Sequence, residues 1–143
     1  MALSDLEIRN ALAEKALLIT PFDENSLNPA GYDLRLSVDA VLKPSEHCLV
    51  ATMERVELDS GLVGILHLRS SLAREGVLAS LALVDPGFRG QLTIALTNAG
   101  RKTIQLRAAE RFVQLTLLRL GKEASTKYDG RYQDSQGVVG SRR

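Results

Sequence analysis

One carboxylate in the chain stands where it could activate a water molecule. Asp85 lies in the stretch VDPGF, where Pro-Gly is a turn sequence and the aromatic Phe88 follows the acid after three residues. A carboxylate held on a turn can accept a proton from an attacking water, which typically contributes about 10² to 10⁴ in rate. The same stretch is also a good structural turn in any protein, so its surroundings must decide its role.

Further residues suited to phosphate chemistry lie at the ends of predicted strands, where loops build sites. Arg69, Ser70, Ser71 and Arg74 offer cations and hydroxyl donors to phosphate oxygens. Alone, the Arg-Ser-Ser stretch is more typical of a surface helix cap, because serine favours caps. The other polar candidates are Asp33 in AGYDL, Arg111 and Gln114 at the start of the last long strand, and Arg131, Tyr132 and Gln136 near the C-terminus.

The composition excludes several other chemistries. Two histidines and one cysteine are too few for a structural zinc site, which takes about four such ligands, and for the signature of the zinc-dependent base deaminases. Gly121-Lys122 is not a phosphate-binding P-loop, because Glu123 follows it and Thr116 stands where the first loop glycine belongs. A formal net charge of +1 gives no argument for a nucleic-acid partner.

Length and hydropathy indicate one globular domain over residues 1–143. The chain is 45% hydrophobic and 24% charged, and no apolar run approaches the roughly 20 residues of a membrane helix. Two acids in MALSDLEIRN argue against a signal peptide, and a single cysteine agrees with a reducing compartment. We therefore expect a cytoplasmic protein with no membrane partner.

The elements that must position these residues are mostly short strands. Ser4 and Glu7 form a capping-box pattern, which predicts an N-terminal helix of about three turns that includes Leu6, Leu12 and Leu17. Short apolar or alternating runs separated by turn signals then favour an all-β barrel or sandwich. The predicted strands are Tyr32–Leu36, Ala40–Leu42, Cys48–Leu58, Leu62–Leu68, Val77–Val84, Gln91–Thr97, Thr103–Leu106 and Phe112–Leu120.

The C-terminal residues 122–143 differ from the rest in being polar and rich in glycine. Such a C-terminal segment is either disordered or ordered by covering a ligand or a neighbouring subunit.

Five separated stretches, in this order, resemble the motifs of the dUTPase and dCTP deaminase superfamily from about residue 3 to residue 141. They are AGYDL (30–34), RSSLAR (69–74), LVDPGFRG (83–90), ERFVQL (110–115) and GRYQ (130–133), continuing to Gln136-Gly137. The resemblance implies a mainly β, distorted jelly-roll β-barrel of the β-clip type with an N-terminal helix. It also implies a homotrimer with active sites shared between subunits, pyrimidine deoxynucleoside triphosphate substrates, and Mg²⁺ held mainly by the substrate phosphates.

The resemblance also implies residue roles. Asp85 would orient and deprotonate the water that attacks the α-phosphorus, and Phe88 would stack under the deoxyribose. Ser70 and Arg74 would hold the reacting water of a deaminase, and Asp33 and Arg111 would brace the site. The substrate-binding set would be Arg69, Ser71, Gln114, Arg131, Tyr132 and Gln136, with residues 122–143 an arm that closes over the site.

Ala95 separates the branches of this superfamily. In the strand that follows Asp85, Leu92, Ile94 and Leu96 alternate with Gln91, Thr93, Ala95 and Thr97, so Ala95 is a methyl group in the polar register. The zinc-free deaminases carry a glutamate ten residues after the motif aspartate, where it moves protons between water and the cytosine ring. A methyl group has no such ability.

Three interpretations remain open from the sequence. The leading one is a dUTP diphosphatase that releases dUMP and pyrophosphate by attack of an Asp85-activated water. A second is a dCTP deaminase, alone or bifunctional, that uses another proton carrier or whose glutamate was replaced by Ala95. The third is a nucleotide-binding regulator without catalytic activity.

Overall fold

Eleven strands, two helices and one 3₁₀ turn make up the chain, and the computed structural model describes all residues from 1 to 143. The strands are β1 (Leu17–Thr20), β2 (Leu27–Asn28), β3 (Gly31–Arg35), β4 (Ala40–Leu42), β5 (His47–Leu58), β6 (Leu62–Leu68), β7 (Val77–Ser80), β8 (Leu83–Val84), β9 (Arg89–Asn98), β10 (Ile104–Leu106) and β11 (Arg111–Arg119). The helices are α1 (Asp5–Ala13) and α2 (Ser70–Arg74), and the 3₁₀ turn is Glu24–Ser26.

The strands form three antiparallel sheets around one core. A four-stranded sheet has the order β1-β5-β9-β7, a five-stranded sheet has the order β2-β3-β11-β6-β8, and β4 pairs with β10 in a small third sheet. Alternate residues of the longest strands face a cluster of 26 buried hydrophobic side chains. This arrangement is the distorted jelly roll that the sequence predicts.

The N-terminal helix begins as expected. The Glu7 backbone N–H donates to the Ser4 hydroxyl at 3.3 Å, and the Ser4 N–H donates to the Glu7 carboxylate at 2.9 Å, which is a complete capping box. The predicted end is wrong, because the helix ends at Ala13 after nine residues and Leu17 belongs to β1. No helix of the chain has the length and apolar character that crossing a membrane requires.

The face that α1 buries also differs from the prediction. Ile8 and Ala11 are its buried residues, whereas Leu6 is 65% exposed. The helix period places residues three and four apart on one side, and Ile8 with Ala11 fits that spacing better than the leucines do.

The predicted strand Val77–Val84 is wrong as a single element. Ser80 pairs with Ala95 in the four-stranded sheet, and Leu83 pairs with Ile65 in the five-stranded one. Residues 81–82 cross from one sheet to the other, so a run that is apolar except for Ser80 serves two sheets. The strand β1, which pairs with the far end of β5, was not predicted either.

A buried ion pair joins β3 to β5. The Glu54 carboxylate, fully buried, accepts hydrogen bonds from the Arg35 side-chain Nε at 2.6 Å and from the Arg35 backbone N–H at 2.8 Å. Arg35 also donates to the Pro21 carbonyl and to Asp23, so each of its guanidinium nitrogens has a partner. A buried carboxylate needs such partners because burial removes its hydration.

Glu54→Ala should therefore destabilise the protein by about 3–5 kcal/mol, because it leaves the Arg35 guanidinium without its principal counter-ion. Urea unfolding measures this free energy. As a matched control, Arg107→Ala removes an exposed partner of Asp39 and should leave the midpoint nearly unchanged. Equal midpoints for the two variants would contradict the assignment of the Glu54 pair as a structural brace.

Candidate active site

A cavity of about 490 Å³ lies between the outer face of β9 and the C-terminal segment. Its lining residues come from β5, β7, β8, the Asp85 turn, β9 and residues 128–141. Asp85, Phe88, Tyr132 and Ala95, all singled out from the sequence, lie in this one lining. The structure therefore brings together residues that are widely separated along the chain.

Asp85 occupies a tight turn at the mouth of the cavity. The Phe88 N–H donates to the Asp85 carbonyl at 3.1 Å, and Gly87 has a φ of +84°. Proline at the second position and a positive φ at the third are typical of a type II turn. The Asp85 side chain is exposed and makes no hydrogen bond within the protein, so it is free to meet a ligand.

Phe88 is less accessible than a sugar platform would suggest. Its side chain is only 7% exposed and belongs to the core, although part of it lines the cavity. The ring of Tyr128 packs against it edge-on, with centroids 5.6 Å apart. The wall beside Asp85 is thus built from two aromatic rings, and the sequence pointed to only one of them.

The floor of the cavity is the outward face of β9. Gln91, Thr93 and Ala95 line the cavity, whereas Ile94 and Leu96 are buried in the core, as the alternation predicts. Leu92 departs from the prediction, because it is only partly buried against the core and also lines the cavity. Leu49 of β5 pairs with Ala95 in register, and both side chains line the cavity. The position where the deaminase glutamate would stand is therefore occupied by a methyl group on this floor.

Unpaired main-chain groups lie beside the cavity, next to the strand that forms its floor. Residues 81 and 82 cross between two sheets, and neither makes a backbone or side-chain hydrogen bond within the chain. Ser80, Ala82 and Leu83 line the cavity around this crossing. Unpaired N–H and C=O groups beside a cavity can bind the edge of a planar base.

A second cavity, of about 390 Å³, collects the predicted phosphate-binding residues. Its lining contains Arg69, Ser70 and Gln114 together with Asn28, Asp33 and Leu68. The Asp33 carboxylate is only 4% exposed and lies 3.2 Å from Arg69 Nε, so it fixes the direction of that guanidinium. Gly31 lets β3 lie close to β11 beside this cavity, because a Cβ there would lie 2.8 Å from the Leu115 carbonyl oxygen.

Three predicted residues lie at the edge of this second group. Arg69 is the N-cap of α2, so the Arg-Ser-Ser stretch does begin a short surface helix, and Ser71 and Arg74 are exposed on it. Arg111 is exposed and donates to the Asn25 carbonyl at 2.9 Å, with its guanidinium 4.0 Å from Asp33. Ser71, Arg74 and Arg111 line neither of the two cavities.

The predicted catalytic residues are therefore not all together within one chain. Asp85 lines the first cavity, Ser70 lines the second, and Arg74 lines neither. The sequence motifs indicated their types but not this division between two surfaces.

The C-terminal segment is ordered along β9. The Gln91 N–H donates to the Ser135 carbonyl at 2.9 Å and the Asp134 N–H donates to the Arg89 carbonyl at 2.8 Å, so the segment pairs in parallel with the part of β9 that β7 leaves open. Further along, the N–H groups of Gly137 and Val139 donate to the side chains of Gln91 and Thr93. We call residues 122–143 the arm, with the bounds predicted from the sequence.

Only some of the predicted substrate-binding residues of the arm line the cavity. Tyr132 lines the cavity, is 38% exposed, and accepts a hydrogen bond from the Arg142 N–H at 3.0 Å. Arg131 is exposed and contacts the Arg142 carbonyl, and Gln136 is also exposed; neither lines the cavity. Substrate contacts by Arg131 and Gln136 stay predictions.

An exposed ionic cluster fastens the arm to the four-stranded sheet. The Asp134 carboxylate accepts from Arg89 Nε at 2.9 Å and from Arg55 Nη2 at 2.7 Å. These hydrogen bonds, the one from Arg89 first, lower the pKa of Asp134 from 3.8 to about 2. Sequence reasoning missed this carboxylate, because nothing in the local sequence shows that two arginines from distant strands converge on it.

The comparisons with known proteins agree with the fold and with the superfamily that the motifs resemble. The family model described as dCTP deaminase-like matches residues 37–120. A dCTP deaminase of Pyrococcus abyssi is 45% identical over 158 aligned positions, which cover 100% of this chain and 99% of that protein. The fold and the motifs define the dUTPase and dCTP deaminase superfamily, and within it this chain belongs to the dCTP deaminase-like family.

Two other proteins that are similar to this chain are named as dUTP hydrolases. A protein of Sulfolobus islandicus rod-shaped virus 1, named "Probable deoxyuridine 5'-triphosphate nucleotidohydrolase", is 33% identical and covers 97% of each chain. A solved mutant dUTPase from phage phi11 of S. aureus, which coordinates a structural Mg(II) ion, has a TM-score of 0.61 at 19% identity, over 81% of this chain and 98% of that one. This structural likeness supports the fold.

Titration of Asp134 tests the ionic cluster. Its lowered pKa means that the cluster stabilises the docked arm fully above pH 3.8 and loses this contribution as the pH falls towards 2. The carboxyl ¹³C shift should therefore titrate with a midpoint of about 2, and Arg89→Ala should raise that midpoint more than Arg55→Ala does. A midpoint near 3.8 in the wild-type protein would contradict the docked geometry.

Proposed function

We propose that the chain is a dUTP diphosphatase, which hydrolyses dUTP to dUMP and pyrophosphate. The observation that carries the proposal is the pairing of two positions in one cavity. A free carboxylate, Asp85, stands at the mouth, and Ala95 occupies the floor where deamination would need a proton carrier. The cavity thus retains the group that hydrolysis at phosphorus needs and lacks the group that hydrolysis at carbon needs.

The base would lie against the crossing between β7 and β8. Residues 81–82 offer unpaired main-chain donors and acceptors there, and uracil carries both kinds of partner on one edge. Phe88 and Tyr128 would form the wall beside the sugar, because both line the cavity next to Asp85.

The triphosphate would be held by groups of the second cavity. Arg69, oriented by Asp33, and the hydroxyl of Ser70 are suited to phosphate oxygens, and Ser71 follows on α2. These groups line a different surface from Asp85, so a complete site needs the second cavity of one subunit to face the first cavity of another. A homotrimer with shared sites satisfies this requirement.

Magnesium fits this scheme as a companion of the substrate. No group of three or more His, Cys, Asp or Glu side chains converges in the chain, whereas Mg²⁺ bound to phosphates keeps several waters and needs few protein ligands. When bound, Mg²⁺ would neutralise charge on the phosphate oxygens. We therefore propose that the substrate phosphates bind Mg²⁺ and that Arg69 supplies the positive charge that the protein itself contributes.

In the proposed reaction the attacking water donates a hydrogen bond to Asp85. As oxygen attacks the α-phosphorus, Asp85 accepts the proton, the bond to the β-phosphate oxygen breaks, and pyrophosphate leaves. Arg69 would stabilise the charge that develops on the phosphate oxygens, with Arg131 approaching from the arm.

Asp85→Asn should lower kcat for dUTP by about 10² to 10⁴, because an amide cannot accept the proton. Pyrophosphate release with Mg²⁺ present measures the rate. The thermal midpoint should not fall, because the Asp85 side chain makes no hydrogen bond within the chain. Absence of dUTP turnover by the wild-type protein would reject the proposal, and tight binding of dUTP without turnover would identify a nucleotide-binding regulator instead.

Deamination of dCTP is the second candidate, and one feature of the cavity favours it besides the naming of the Pyrococcus abyssi relative. His47 lines the cavity on the same face as Ala95, one strand away, since its in-register partner is Thr97. An imidazole can accept a proton from water and pass it to the leaving amino group. His47 would then replace the missing carboxylate as water adds to C4 and ammonia leaves.

Assaying dUTP and dCTP side by side separates the two candidates. The dUTP diphosphatase proposal expects pyrophosphate from dUTP and no ammonia from dCTP. If ammonia is released, His47→Ala should abolish it and leave dUTP hydrolysis unchanged, whereas Ala95→Glu should increase it. Ammonia release that His47→Ala does not affect would exclude His47 as the proton carrier.

A further inference from the structure

The main chain around the Asp85 turn finds many of its partners in the arm. The Pro86 carbonyl accepts from the Tyr128 N–H at 2.8 Å, and the Arg89 carbonyl accepts from the Asp134 N–H at 2.8 Å. On its other side the turn is fixed to the end of β5, where the Gly87 N–H donates to the Leu58 carbonyl at 3.0 Å. The arm therefore completes the setting of the turn that carries Asp85.

The carboxamide of Gln133 makes the central contacts between the arm and the turn. Its Oε1 accepts from the Arg89 N–H at 2.9 Å, and its Nε2 donates to the Gly87 carbonyl at 2.9 Å and to the Tyr128 carbonyl at 3.2 Å. The Gln133 side chain thus binds the backbone on both sides of Phe88. It also binds the carbonyl of the arm tyrosine whose ring packs on the Phe88 ring. Gln133 is half-buried and does not line the cavity.

Close packing holds this contact in place. A Cβ on Gly87 would lie 2.5 Å from the Cβ of Lys127, so the arm can approach the turn only because residue 87 is glycine. A Cβ on Gly130 would lie 2.4 Å from the Tyr128 hydroxyl, which accepts from the Tyr132 N–H at 3.3 Å. Turn, arm and both tyrosines therefore form one packed unit.

We propose that Gln133 is a positioning residue for Asp85, an inference that rests on the proposed function. Its carboxamide takes the place of a strand partner along Gly87–Arg89 and so fixes the direction in which the turn presents Asp85. Because Gln133 belongs to the arm, ordering of the arm and orientation of Asp85 are one event. Undocking of the arm would leave Asp85 on a turn without these partners.

Two variants of Gln133 test this inference on the full-length protein. Gln133→Ala removes all three hydrogen bonds, and Gln133→Glu keeps the acceptor for the Arg89 N–H but loses both donors. Both should lower kcat for dUTP by about 10- to 100-fold with little change in KM, because misplacing a catalytic group by about an ångström has effects of that size. Exchange of the Arg89 amide hydrogen should accelerate in Gln133→Ala and stay slow in Gln133→Glu.

The matched control is Gln105→Ala, on the exposed side of β10 in the small third sheet. It should change neither kcat nor exchange of the Arg89 amide. A kcat within about twofold of the wild type in both Gln133 variants would overturn the inference, as would a lower thermal midpoint with kcat unchanged. If the wild-type protein does not hydrolyse dUTP, the proposed function fails, and unaltered Arg89 exchange in Gln133→Ala is then the result that rejects the positioning of the turn.

Discussion

The alternation of β9 is the constraint on which the site depends. Successive side chains of a strand point to opposite faces, so burying Ile94 and Leu96 forces Gln91, Thr93 and Ala95 outwards. Both edges of β9 are paired: β5 runs along one edge, while β7 and the arm share the other. The register of β9 therefore determines both which side chains pack in the core and which form the cavity floor. A shift of this register by one residue would exchange the two sets of side chains.

Side-chain carboxamides join the functional parts of this fold in addition to the main-chain hydrogen bonds. Gln91 donates to the Thr52 carbonyl, where the register of β5 and β9 shifts, and accepts from the Gly137 N–H of the arm. Gln133 does the same between arm and turn. A carboxamide suits both places because it carries donors and an acceptor on one planar group. The arm is thereby fastened by side chains as well as by its main-chain pairing with β9.

Two cavities with complementary contents explain how one small chain can carry such a site. The larger holds a carboxylate, two aromatic rings and free main-chain groups, and the smaller holds an arginine with its buried carboxylate partner Asp33. Their combination would require association of subunits, which makes assembly part of the proposed catalysis.

The sequence by itself determined the succession of short strands, the capping box, the superfamily motifs and the presence of a methyl group at position 95. These are local properties, set by period, turn chemistry and residue type. Tertiary structure alone decided the crossing at residues 81–82, the burial of Phe88 and the convergence of Arg55 and Arg89 on Asp134. Each of these depends on which distant strands become neighbours, and chain-local patterns carry no information about that choice.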